Sequence, residues 1–179
     1  SNVNGQDDIR WYSGVKNSRG DWVVSVPLSN HRSHGSYSVH VYATFFGRQM
    51  FVGSTSFSVA APVTSISGVA NRANGSITYT VTISSSIGIS RVQLPVWCNS
   101  TGGQDDIRWY DLTSPTVSGS TYTYTKTIYL SDHKYQSGYY AAHLYAYDGI
   151  GVLAPIKTCD IANAQLPPIT LGYTHTTDG

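Results

Sequence analysis

The sequence predicts an all-β protein made of immunoglobulin-like β-sandwich repeats, one complete unit and one N-terminally truncated unit. Three observations lead there. The heptapeptide QDDIRWY occurs twice, at Gln6–Tyr12 and Gln104–Tyr110, and LSNHRSHGSYSVHVYA (28–43) is answered by LSDHKYQSGYYAAHLYA (130–146), which is one residue longer. Such internal identity is the mark of a tandem repeat. Tyr, Ser, Thr, Val and Gly are abundant, with one Met and no Glu, a composition suited to half-buried strands and turns and poor for helices. Short apolar–polar alternations separated by Gly, Ser, Asn and Asp recur along the chain, as in β-sandwiches.

The elements follow in order. Read as a strand, QDDIRWY puts Asp7, Ile9 and Trp11 on one face and Gln6, Asp8, Arg10 and Tyr12 on the other; Ile9 and Trp11 are expected to face a core. Asp8 and Arg10 are then near enough for an exposed ion pair of well under ~1 kcal/mol. SGVKNSRGD is a turn segment, and Trp22–Val26 alternates as a strand. In LSNHRSHGS, Ser29 and Asn30 suit side-chain turns and Gly35 a positive φ. The strand Tyr37–Ala43 directs Tyr37, Val39, Val41 and Ala43 one way and Ser38, His40 and Tyr42 the other. Met50–Val59 closes the first unit, and Ala61, Pro62 and Val63 mark the boundary.

The second unit opens with strands that the first lacks: Val63–Val69, then the apolar face Ile77, Tyr79, Val81, Ile83, then Ile89–Trp97, before QDDIRWY returns. The expected domains are therefore residues 1–60, a partial repeat; 61–163, a complete one; and 164–179, a Pro/Thr-rich linker in which Ile169–Tyr173 could add an edge strand. A start without Met and a linker-like end read as an excised or mature piece of a longer protein. A half-sandwich exposes an apolar face and free strand edges, so residues 1–60 are expected to pack on the second unit or to self-associate with another copy.

The charge balance is eleven Lys and Arg against ten acids, all Asp, for a net +1. That is too little positive charge for nucleic-acid binding through phosphate neutralisation. No apolar run is long enough to span a bilayer, and no signal-peptide pattern is present; no membrane insertion is expected.

The order ISRVQLPVW, then GQDDIRWY, then LS(N/D)H, then GxYxxHVYA or its near copy in the second unit, resembles the Bsp-like repeat of group B streptococcal and other Firmicute surface proteins. The match covers the second unit nearly whole and the C-terminal part of the first. The resemblance implies a non-catalytic module repeated in secreted Gram-positive proteins, often beside peptidoglycan hydrolase domains. It further implies an extracellular, cell-surface or cell-wall location and attachment to peptidoglycan or another wall glycan. The alternative is a structural spacer or protein-binding adhesion unit. No ligand residue carries over from the family.

Catalysis needs a nucleophile or metal with partners in reach. His31 and His133 occupy equivalent turns, where a turn hydrogen bond is the simpler role. A pair of His with Asp7 or Asp8 could hold a metal, but no HExxH, CxxC or GxSxG signature accompanies them, and a chain without Glu has only Asp for glycoside hydrolysis. No enzyme activity and no cofactor is expected. Cys98 and Cys159 are a candidate disulfide, closing a loop of about sixty residues worth roughly 3–4.5 kcal/mol; two buried thiols are the equal alternative. Asn74-Gly-Ser and Asn99-Ser-Thr fit glycosylation sequons but read as turns. The candidate ligand-binding residues are the outward aromatic and polar side chains Arg10, Tyr12, His40 and Tyr42, with Arg108, Tyr110, His143, Tyr145 and Tyr147. Aromatic faces stack on sugar rings and the polar groups supply directional hydrogen bonds. Each could equally stabilise its sheet through cross-strand pairing.

Overall fold

The structure is a computed structural model that describes residues 8–100, 103–169 and residue 172. Twelve strands run in chain order: β1 (Val15–Lys16), β2 (Trp22–Val23), β3 (Gly35–Phe45), β4 (Arg48–Val59), β5 (Val63–Asn71), β6 (Ser76–Ser84), β7 (Ile89–Cys98), β8 (Arg108–Asp111), β9 (Thr116–Ser118), β10 (Thr121–Tyr129), β11 (Gly138–Asp148) and β12 (Lys157–Ala164). Short 3-10 turns at Leu28–Asn30 and Leu130–His133 precede β3 and β11 at matching places.

The second repeat is a closed sandwich. One sheet has the order β5-β6-β10-β9 and the other β12-β11-β7-β8, all antiparallel. The chain switches sheets between β6 and β7, between β8 and β9 and between β10 and β11, an immunoglobulin-like arrangement. Period-two alternation builds its core. Ile77, Tyr79, Val81 and Ile83 of β6 meet Val92, Leu94 and Val96 of β7 and Tyr140, Ala142, Leu144 and Ala146 of β11, all buried. Gly68 lets the sheets close at their edge, since a Cβ there would come within 2.8 Å of Ile161 and 3.0 Å of the Tyr79 ring.

Among the described residues the first repeat consists of two hairpins, β1-β2 and β3-β4. The β3-β4 hairpin repeats β11-β12: Gly35 pairs with Val59 as Gly138 pairs with Ala164. Strands equivalent to β5, β6 and β7 are not among its described residues, and the consequence shows in burial. Leu144 of β11 is 1% exposed, whereas Val41 at the same place in β3 is 48% exposed. The expected cover from the second repeat is thus not formed over this face; Phe45 and Met50 are exposed as well. The repeats touch at one end, where His34 bonds Asp148.

Two further expectations are corrected. Trp22–Val26 forms a strand only over Trp22–Val23, since only a short partner, Val15–Lys16, lies opposite it. Ile169 lies outside any strand and is exposed; the rest of the expected edge strand, apart from Gly172, falls outside the described residues.

Candidate functional site

The repeated heptapeptide is a turn followed by a short edge strand. Residues 103–106 form a turn, with Gly103 at φ +68°, and only from Arg108 does the chain pair with β7. The turn carries Asp106 inward, where its carboxylate accepts the Cys98 backbone N–H through both oxygens, at 3.0 and 3.1 Å. Oδ2 also lies 3.1 Å from Nδ1 of His133. A carboxylate only accepts, so Nδ1 carries the proton and Nε2 offers its lone pair to the Tyr110 hydroxyl at 3.0 Å. His133 and Asp106 are both buried. Burial depresses the His133 pKa, outweighing the opposing pull of Asp106; burial, then the charge of Asp132, pushes Tyr110 up to about 12.

The first repeat builds the same chain of bonds. Nδ1 of His31 lies 3.3 Å from Asp8 and its Nε2 3.0 Å from the Tyr12 hydroxyl. Below each imidazole sits a tyrosine ring edge-on, Tyr37 at 5.7 Å and Tyr140 at 5.5 Å, whose hydroxyl donates to the carbonyl of Ser33 or Gln136. The residue inserted in the second copy is absorbed at Lys134 and Tyr135, both at positive φ, leaving the bonds unchanged.

This geometry overturns the expected facing of QDDIRWY. Tyr12 and Tyr110, taken as ligand-facing, point inward to a histidine, while Ile9 and Trp11, expected in a core, are 62% and 68% exposed. In the second repeat the physical reason is the register of β8: Tyr110 pairs with the core residue Leu94, so Trp109 faces outward beside Pro95; in the first, Tyr12 is drawn in by its bond to His31. The Arg10 Nε donates to the Asn30 carbonyl at 3.1 Å. Arg108 lines a shallow cleft with Asp105, Asp132 and Lys134, in which Lys134 and Asp105 already pair at 2.8 Å. Of the proposed metal ligands, Asp7 lies outside the described residues, and Asp8 is committed to His31. Among the described residues no three His, Cys, Asp or Glu side chains converge as a metal site.

Five of the nine candidates, His40, Tyr42, His143, Tyr145 and Tyr147, lie on the faces of β3 and β11 opposite the buried Tyr37 and Tyr140. Their aromatic partners include Trp11, expected in a core. Trp11 lies against Tyr42 with centroids 5.3 Å apart and planes at 49°, and Trp109 against Tyr145 at the same 5.3 Å and 49°. Phe51 joins Tyr42 and His40 edge-on in the first repeat; Trp97 joins His143 at 4.9 Å in the second. Tyr147 lies opposite Arg91, whose guanidinium pairs with Asp111. The tryptophans were the missed members, although their recurrence in both copies of QDDIRWY was a signal.

The candidate disulfide is not formed: both cysteines are free. Cys98 on β7 pairs across to Tyr140 and Cys159 on β12 to Ala142, so β11 lies between them. Two strand spacings of about 4.8 Å exceed the Cα separation that a disulfide can span. Burial instead raises the Cys159 pKa.

A family model for the GBS Bsp-like repeat matches residues 1–57 and 68–159. The chain belongs to this family. The two matched stretches of the Bsp-like repeats coincide with the two copies of the Asp–His–Tyr chain. No curated protein matches the sequence. Among solved structures, the fibronectin(III)-like modules of Clostridium thermocellum CbhA are similar over 80% of this chain and 70% of that chain, at 19% identity and a TM-score of 0.36.

Proposed function

We propose that these Bsp-like repeats form a non-catalytic module of the cell surface that binds wall glycan, peptidoglycan included, through the outward aromatic faces of β3 and β11. The observation that carries the reading is the Trp–Tyr pair reproduced with one geometry in both repeats, Trp11 with Tyr42 and Trp109 with Tyr145. Trp11, Tyr42 and Trp109 are each at least 40% exposed, an arrangement costly in apolar exposure unless something covers it. Pyranose rings present apolar C–H faces that stack on such side chains, and His40 or His143 beside them can fix orientation by hydrogen bonding.

A catalytic role for the Asp–His–Tyr chains is disfavoured by the same burial that holds them. A general base must reach a substrate proton, and His133 is 0% exposed, with both ring nitrogens committed. The chains fasten turns to strands.

Co-sedimentation with purified Gram-positive sacculi tests the reading, using wild type, Trp109→Ala/Tyr145→Ala and Trp11→Ala/Tyr42→Ala, with circular dichroism to establish folding. The expected result is retention of the wild type and a loss for each folded variant. Folded wild type left in the supernatant would overturn it in favour of a spacer or protein-contact unit.

A further inference from the structure

Among the positions at which the two repeats differ, two meet each other across the joint. His34 stands where the second repeat has Ser137, one position before the equivalent glycines Gly35 and Gly138. Asp148 stands where the first repeat has Phe45, two positions after the equivalent alanines Ala43 and Ala146. These two departures face each other: Nε2 of His34 bonds Oδ2 of Asp148.

Asp148 is prepared for that partner. Its side chain is 0% exposed, and its other oxygen, Oδ1, accepts the backbone N–H groups of Ile150 and Val152 at 3.0 and 2.9 Å. The turn is anchored from below by Gly149, whose N–H donates to the Gly88 carbonyl at 3.0 Å. A buried carboxylate requires hydrogen bonds at both oxygens, and the second repeat supplies them to Oδ1, leaving Oδ2 to His34. Val59, which ends β4 opposite Gly35, and Pro62 beyond it are buried. By contrast Ser137, at the place of His34, is occupied by the N–H of Leu166, in the segment that follows β12, at 3.2 Å.

We propose that Asp148 is a socket for a histidine of the preceding repeat, and that the His34–Asp148 pair fixes the two repeats in a single orientation in solution. The partner that this surface fits is a Bsp-like repeat with His at the position of His34. A repeat with Ser there, like the second, does not fit. The order of repeats is thereby written into the joint, independently of whether the aromatic faces bind glycan.

Residual dipolar couplings on the full chain at neutral pH test this, for wild type, His34→Ser and Asp148→Asn. The asparagine keeps Oδ1 for Ile150 and Val152, so the turn survives while the joint is weakened; amide dispersion in each spectrum establishes folding. The expected result is one alignment tensor for both repeats in wild type and, in each variant, a reduced and separate tensor for β3-β4. Separate tensors in the wild type, or a shared tensor retained in both variants, would overturn the proposal.

Discussion

The Tyr110 hydroxyl donates to Nε2 of His133 at 3.0 Å, and Tyr12 stands in the same relation to His31 at the same distance. In the second repeat this bond ends a chain that begins at the Cys98 backbone N–H and passes through Asp106. Asp106→Ala orphans a buried N–H and a buried imidazole together, and is expected to cost roughly 3–5 kcal/mol by urea denaturation. Tyr110→Phe removes one bond and should cost about 1–2 kcal/mol. Equal, small losses from both would show that the chain is not a stabilising unit.

Stability should depend on pH through His133. Burial holds its pKa below the ordinary 6.5, so as pH falls the unfolded chain takes up this proton before the folded one does. The contribution is complete above about pH 6.5 and is lost as pH falls from there toward the folded-state pKa. Thermal melts of wild type and His133→Gln should therefore converge on acidification through that window. A constant difference in Tm would contradict the assignment.

The two copies of the repeat were legible because letters recur; the facing of QDDIRWY was not. Alternation allows either Trp109 or Tyr110 to point inward, and the choice is made by Leu94 on a neighbouring strand, which no local pattern encodes. Asp106 was hidden for another reason: a polar residue in a turn reads as solvated, and its burial depends on Cys98 and His133 arriving from elsewhere in the chain. The strands β3–β7 were visible in period two, whereas β2 was overcalled because its short partner β1 carries no alternation to read.

Equivalent positions should differ in sensitivity. Leu144→Ala empties a packed core site and should cost roughly 2–5 kcal/mol. Val41→Ala, at the matching place but 48% exposed, should cost well under that. Comparable losses in denaturant melts would mean that the face of β3 is covered in solution.

Gly149→Ala should be severe, since a Cβ there would lie 1.9 Å from the Ile87 carbonyl oxygen. The clash is with backbone, so at least about 1–3 kcal/mol of strain is expected, read as a lowered Tm. An unchanged Tm would mean that the β7 entry loop moves freely.

Free thiols should persist without reductant. Under native conditions alkylation followed by intact mass is expected to modify Cys159 slowly and the buried Cys98 only on unfolding. A species lighter by two hydrogens would reveal a disulfide and a rearranged sheet.

Asp106 ties the end of β7 to the turn that carries the chain from β10, in one sheet, to β11, the neighbour of β7 in the other. If this crossover is fixed only once both layers have docked, the fastening closes late on the folding route. Its loss should therefore fall on the rate of unfolding and leave the rate of folding little changed. A fastening of this kind governs how long the folded domain survives between openings.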